Sequence, residues 1–252
     1  MFPSTEVIQT AWSARKEWSV SSTARVLLVP HHLVAGHLIA SAFISIPAPS
    51  TVYLLFPDHF SRVPKGMIGI TNRPLESDTV RLQNSTRLDQ FASAGLNSVM
   101  LTDGMQNELS FQALIPFIVK AWPEVRVVPI MIGSNAPIST QEALASVLSK
   151  VLTDPKTLVV ASADFAHHVS PEAADKEDRL SEQVIDHLDV NRVDEIQADA
   201  KGVLGVVLRI AQQCPFQPQL LAHTNSVRLL HITDPVMRND STSHFIYNFF
   251  QP

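Results

Sequence analysis

The sequence predicts an α/β fold in which a mixed or parallel central sheet carries helices on both faces. Short, continuous apolar runs rich in β-branched residues alternate along the chain with longer stretches of helical periodicity. Continuous apolar runs are typical of strands that are buried on both faces. No repeat, low-complexity tract or linker divides the 252 residues, so we expect one domain over residues 1–252.

Five apolar runs and a closing strand are predicted to form the sheet, at 26–30, 52–56, 98–101, 125–132, 157–161 and 244–250. Helices are predicted between them, at 110–122, 139–152, 171–188 and 202–214. The first of these helices stops before Pro123, since the residue before a proline disfavours helical geometry. The second begins with Ser-Thr-Gln-Glu, which has the spacing of a capping box. The last one, GVLGVVLRIAQQC, is apolar almost all round and should be buried.

The composition excludes several classes of function. The chain has 24 Asp and Glu against 19 Lys and Arg, a balance that argues against broad nucleic-acid binding. No apolar run approaches the roughly 18 residues that a membrane span needs. A single cysteine and a first segment without a compact apolar core lead us to expect a cytoplasmic protein. Glycine is scarce, and neither G-x-G-x-x-G nor the P-loop motif occurs.

Histidines and one aspartate follow three of the predicted strands. VLLVP leads into His31 and His32, VYLLFPD leads into His59, and TLVVAS leads towards Asp164 and His167. Functional groups of open α/β sheets collect beyond the carboxyl ends of strands, so we expect these side chains at one rim. Imidazole and carboxylate together bind zinc, copper or non-haem iron. A lone histidine after a strand is more often a surface or core residue, but three such strand ends indicate a shared site.

Six segments in order carry a family resemblance. The most specific is SADFAHH at 162–168, which resembles the family segment S-S-D-F-S-H-Y. The others are VPHHLVAG at 29–36, FPDHF at 56–60, NELSFQALIPFI at 107–118, VVPIMIG at 127–133 and HTNSVRL at 223–229. Together they resemble the Memo family, also called AmmeMemoRadiSam system protein B. The resemblance implies a fold similar to that of the class III extradiol dioxygenases.

The resemblance implies that His31 and His59 are the two imidazole ligands of a mononuclear metal site. The family's third ligand is a cysteine that opens a helix, and Asp199 stands at that position here. Cys214 lies well downstream and is interpreted as a buried small hydrophobe. A carboxylate in place of a thiolate favours Fe(II), Mn(II) or Zn(II) over Cu(I). The alternative is that Asp199 only caps the following helix.

The same resemblance implies roles for the remaining strand-end groups. His167 would act as an acid/base or as a hydrogen-bond donor to substrate, oriented by Asp164. The expected cofactor is one divalent metal ion, either iron, zinc or copper. The expected partner is a small-molecule or peptide ligand, with neither nucleic acid nor membrane, and homo-oligomer formation is left open. The preferred hypothesis is a dioxygenase-like, metal-dependent oxidoreductase acting on a small oxygenated substrate.

Four departures from the family pattern make the expected pocket more apolar. Leu109 replaces the histidine of E-H-S, and Gln112 replaces the glutamate that follows it. Phe56 and Phe60 replace the glycine and the second histidine of G-P-x-H-H. These departures favour an alternative function, a non-catalytic binding or scaffold protein with a degenerate metal site. A metal-dependent hydrolase is a third candidate.

Overall fold

A computed structural model describes residues 2–71, 75–77, 80–82, 89–234 and 236–252. The strands are β1 (Ala24–Val29), β2 (Thr51–Pro57), β3 (Met67–Ile70), β4 (Leu75–Ser77), β5 (Val80–Leu82), β6 (Asn97–Met100), β7 (Arg126–Ile132), β8 (Thr157–Ser162), β9 (His167–Val169), β10 (Gln217–Asn225) and β11 (Ser241–Phe250). The helices are α1 (Thr5–Ser13), α2 (Gly36–Ser45), α3 (Asp89–Ser93), α4 (Thr102–Gln106), α5 (Leu109–Ala121), α6 (Ile138–Val151), α7 (Pro171–Asp186), α8 (Lys201–Gln213) and α9 (Ser226–Leu229). Among the described residues, none of the helices combines the length and the apolar character that crossing a bilayer requires.

A mixed sheet in the order β10-β11-β1-β8-β2-β7-β3-β6 forms the centre of the fold. Strands β1, β8, β2 and β7 run parallel to one another. On one side β11 pairs antiparallel with β1, and β10 pairs antiparallel with β11. On the other side β3 is antiparallel to β7 and parallel to β6. The predicted α/β class, with a mixed sheet between helices, is confirmed.

Alternate residues of the central strands pack into two separate cores, one on each face of the sheet. On β2, Tyr53 and Leu55 pack with residues of α6, α7 and α8. The alternating neighbours Val52, Leu54 and Phe56 pack with residues of α1, α2 and α5. Every residue of β2 and β8 is buried, as the continuous apolar runs predict. Strand β6 differs because it lies at the sheet edge, and its residues are largely exposed.

The predicted elements lie at nearly the expected positions, with two corrections. The apolar helix α8 is buried from Gly202 to Ala211, as predicted. The predicted capping box is wrong, because α6 begins at Ile138 and its N-cap is Pro137, which makes no side-chain cap bond. Cys214 packs against the core as a small apolar side chain, but it is only partly buried, which corrects its predicted burial.

The strand order brings three chain segments to one rim. Strand β8 lies between β1 and β2 and is parallel to both, so the carboxyl ends of all three point the same way. The segments that follow these strands carry His31, His59, Asp164 and His167. This is the placement expected of functional groups in an open α/β sheet.

We expect Gly202→Ala to destabilise the fold, because α8 packs closely on the loop after β7. A Cβ on Gly202 would lie 2.6 Å from the carbonyl oxygen of Gly133, a backbone atom that cannot swing aside. The free energy of unfolding, measured with urea, should fall by about 1–3 kcal/mol. Gly104→Ala is the matched control, since its Cβ would meet the flexible side chain of Arg62 at 3.2 Å. An unchanged stability of Gly202→Ala would contradict the close packing of α8.

Candidate metal site

The carboxylate of Asp199 lies at the centre of the candidate site. Its Oδ2 atom is 3.1 Å from His31 Nε2 and 3.2 Å from His59 Nε2. Its Oδ1 atom accepts a hydrogen bond of 3.0 Å from the backbone N–H of Asp164. The imidazole centroids of His31 and His59 are 5.1 Å apart, and their planes are inclined at 76°. The structure therefore brings His31, His59 and Asp199 together, as expected from the strand ends and the resemblance.

Each of the two imidazoles is held on its Nδ1 side by a different group. His59 Nδ1–H donates to Glu108 Oε1 at 2.5 Å, and the backbone N–H of His59 donates to Glu108 Oε2 at 3.2 Å. His31 Nδ1 shares a hydrogen bond of 2.9 Å with Ser162 Oγ. Because both Nδ1 atoms are engaged, both Nε2 atoms face Asp199.

Asp164 is 3% exposed, and its carboxylate contacts His31. Oδ1 accepts a hydrogen bond of 3.2 Å from the backbone N–H of His31, and Oδ2 is 3.4 Å from His31 Nε2. Asp164 is therefore a buried carboxylate that has hydrogen-bond partners. The carboxylate contacts His31, and its role in orienting His167 stays a prediction.

The alternative role of Asp199 as a helix cap is wrong. The N-cap of α8 is Ala200, and no side chain forms a cap bond there. The backbone N–H of Asp199 donates to the carbonyl of Asp164 at 3.2 Å, which ties the start of α8 to the end of β8. The side chain of Asp199 is thereby directed at the two imidazoles.

Only one member of the 167–168 histidine pair faces the rim. One donor atom each of His167, Asp164 and Asp199 lie within 4.8 Å of one another. His168 is 81% exposed on its side chain and pairs with Asp240 at the surface.

Two residues near the rim were not singled out from the sequence, Glu108 and His244. Glu108 is fully buried, and it caps α5 by accepting from the backbone N–H of Leu109 at 2.9 Å. A glutamate two residues before the predicted start of this helix at 110 is the signal that could have identified it. His244 is buried in β11, and its Nε2 is 3.0 Å from His32 Nδ1. Burial and the neighbouring His32 lower the pKa of His244 to about 3, so it is neutral.

Charge–charge contacts set the protonation of the central residues. Burial lowers the pKa of His59, but hydrogen bonds to Asp199 and Glu108 outweigh it and raise the pKa to about 10. Burial also lowers the pKa of His31, but the negative charges of Asp164 and Asp199 have a larger effect, so the pKa is raised above its usual value. Burial alone raises the pKa of Asp199, yet hydrogen bonds from His31 and His59 bring it below its usual range. Protons on the imidazoles of His31 and His59 therefore link both rings to the Asp199 carboxylate through hydrogen bonds.

For His167, unlike His31 and His59, burial has a larger effect on the pKa than the neighbouring charges. Burial lowers the pKa of His167 more than the charges of Asp199 and Asp164 raise it. Burial raises the pKa of Asp164, and the charge of Asp199 raises it further. His167 is therefore neutral near pH 7 and offers an unprotonated ring nitrogen to the rim.

The central donor set fits a divalent cation. Donor atoms of His31, His59 and Asp199 lie within 4.8 Å of one another. Donors around a tetrahedral ion with bonds of about 2.0–2.1 Å lie roughly 3.3 Å apart, close to the two observed separations from Asp199 Oδ2. Two imidazoles and a carboxylate suit zinc or non-haem iron.

Comparison with known proteins identifies the family of the chain. A family model described as Memo-like protein matches residues 5–226. The chain belongs to the Memo-like family. Protein MEMO1 of Danio rerio is 28% identical over 162 residues, which cover 59% of this chain and 52% of that protein. Human MEMO1 is 26% identical over 165 residues, with the same coverage of both chains.

A bacterial Memo-like relative is similar at the same level. The MEMO1 family protein of Aquifex aeolicus is 29% identical over 151 residues, covering 57% of this chain and 40% of that protein. The chain thus spans about half the length of the curated relatives it matches. The crystal structure of the uncharacterized protein JW3007 from Escherichia coli K12 superposes with a TM-score of 0.58 at 13% identity, over 88% of this chain and 99% of that one. That likeness shows the fold alone.

We expect the metal-free chain to gain stability from protonated His59. The folded pKa of about 10 lies above the unfolded value of 6.5, so this contribution is fully present below about pH 6.5 and is lost as the pH rises through about 10. The difference in unfolding free energy between the native chain and His59→Gln, measured in EDTA, should shrink over that interval. His187→Gln, an exposed histidine, serves as the control. A constant difference for His59→Gln would contradict the raised pKa.

Proposed function

We propose that this chain binds one divalent cation through His31, His59 and Asp199 and acts on a small oxygenated substrate as a dioxygenase-like oxidoreductase. The observation that carries the proposal is the position of Asp199 Oδ2, 3.1 and 3.2 Å from the two imidazole Nε2 atoms. A bound cation supplies Lewis acidity and leaves coordination positions open for substrate oxygen atoms. Membership in the Memo-like family supports the proposal.

The protein's own groups orient the ligands and move protons. Glu108 and Ser162 hold the Nδ1 sides of His59 and His31, so that each Nε2 stays directed at the same point. His167 is half-buried, and its lowered pKa leaves a lone pair on a ring nitrogen at neutral pH. We propose that it takes a proton from a substrate hydroxyl and returns it later.

The carboxylate at position 199 determines the kind of cation. Asp199 offers hard oxygen atoms where the family has a soft thiolate. We therefore propose Fe(II), Mn(II) or Zn(II) as the bound ion in preference to Cu(I).

Exposed apolar side chains beside the site favour a second candidate function, the binding of a small molecule or peptide without turnover. Phe60 is 50% exposed and Leu109 is 53% exposed, and they directly follow the paired residues His59 and Glu108. The guanidinium of Arg62 lies 4.4 Å from the centroid of the Phe60 ring. Clustered large apolar side chains at a surface are typical of binding sites.

We expect Asp199→Ala to weaken Zn(II) binding by at least 10–100-fold, because even the loss of a residue that only supports a ligand has an effect of that size. Asp199→Cys should restore binding and shift the preference towards softer ions. Competition with a chromophoric chelator, using protein without a His tag, measures both effects.

The double variant His31→Ala, His59→Ala should lose stoichiometric zinc, and His187→Ala should retain it. Unchanged affinity in Asp199→Ala alone would remove Asp199 from the ligand set. Unchanged affinity in the double variant as well would overturn the proposed metal function.

We expect the chain reconstituted anaerobically with Fe(II) to consume oxygen when catechol is added. His167→Gln should lower kcat by about 10²–10⁴-fold, since general acid–base catalysis contributes that much. Oxygen uptake on an electrode measures both, with the exposed His168→Gln as the control. A chain that holds iron and binds catechol without consuming oxygen would favour the second candidate function.

A further inference from the structure

We propose that the same rim holds a second divalent cation, coordinated by Asp164, His167 and Asp199, and that the carboxylate of Asp199 bridges a dinuclear centre. The inference rests on the proposed function, because the first cation shares Asp199. It goes beyond that function by assigning a second ion and a ligand role to His167.

The donor geometry supports two sites with one residue in common. Donor atoms of Asp164, His167 and Asp199 form a second group within 4.8 Å, and Asp199 is its only member that also belongs to the first group. The two oxygens of Asp199 face different neighbours, since Oδ2 contacts His31 and His59 while Oδ1 accepts from the backbone of Asp164. A carboxylate divided in this way has one oxygen for each cation.

The first cation would leave the Oδ2 atom of Asp164 without a hydrogen-bond donor, while Oδ1 keeps its bond from the backbone N–H of His31. In the metal-free chain Asp164 Oδ2 lies 3.4 Å from His31 Nε2. A cation on His31 Nε2 takes the place of the proton on that nitrogen, so the contact no longer supplies a hydrogen bond. A carboxylate oxygen that is buried without a partner is costly. A second cation between Asp164 and His167 supplies the missing partner.

The local charge also favours a second cation. Three carboxylates, those of Asp164, Asp199 and Glu108, surround His31 and His59. Throughout the part of the chain that the structure describes, the ion-pair partners of these carboxylates are histidines, and no Lys or Arg takes part. When the histidines act as neutral ligands, one divalent cation leaves one of the three carboxylate charges unbalanced, so the site keeps a net negative charge that attracts a second cation.

Occupation of the second site changes what His167 does. With one cation bound, its unprotonated nitrogen is available as an acid/base. With two cations bound, the same nitrogen is a ligand. Two cations about 3.5–4 Å apart can stabilise both the attacking and the leaving oxygen atoms of a displacement.

Metal stoichiometry and spin coupling together test the second site. The full chain without a tag is stripped with EDTA and titrated with Mn(II), and bound metal is measured by elemental analysis and by electron paramagnetic resonance. We expect two Mn(II) per chain with a spin-coupled spectrum. His167→Ala should hold one Mn(II) with an uncoupled spectrum, and His167→Gln should do the same if the alanine variant fails to fold. His168→Ala, at the exposed neighbouring position, should keep two coupled ions.

The other outcomes separate the two proposals. One Mn(II) per chain, unaffected by His167→Gln, would overturn the second site and leave the first intact. Two ions that stay uncoupled, or that persist in His167→Gln, would place the second ion elsewhere and overturn the inference. No bound ion in the native chain would overturn both the inference and the proposed function.

Discussion

The contact of one carboxylate, that of Asp199, with two imidazoles is the interaction on which the rest of the site depends. It joins His31, after β1, to His59, after β2. Two further hydrogen bonds between the backbone and carboxylate of Asp199 and the backbone of Asp164 fasten the end of β8 to the same point. Helix α8 begins at Lys201, two residues after Asp199. Because Gly202 has no Cβ, this helix can pack closely against the loop that follows β7.

The sheet supplies the frame that makes this contact available. The three adjacent parallel strands β1, β8 and β2 end at one rim. The antiparallel strand β11 forms backbone hydrogen bonds with the segment that follows β8. The backbone of Ser243 in β11 accepts from Phe165 N–H and donates to the carbonyl of Ala166. These bonds fix the path of residues 164–167, so that Asp164 turns to His31 while His167 stays at the rim. The exposed apolar side chains of Phe60 and Leu109 follow His59 and Glu108 directly in the chain.

Local patterns were sufficient for the parts of the structure that local physics determines. Continuous apolar runs predicted β1, β2 and β8 and the rim beyond them, and the family resemblance added Asp199. Contacts between segments that are distant in the sequence could not be predicted from local patterns. Glu108 is hydrogen-bonded to His59, 49 positions away, and His244 to His32, 212 positions away. The capping box is wrong for a local reason, because the N-cap of α6 is Pro137, two residues before the Ser139 that the box requires there.

The central claim is that a cation lies between His31, His59 and Asp199. Anomalous diffraction at the zinc edge, from crystals of the chain grown with Zn(II), tests it most directly. The account predicts a peak about 2.0–2.2 Å from Nε2 of each histidine and from a carboxylate oxygen of Asp199. Zinc peaks found only at surface histidines such as His168 or His187, with none between the two imidazoles, would contradict it.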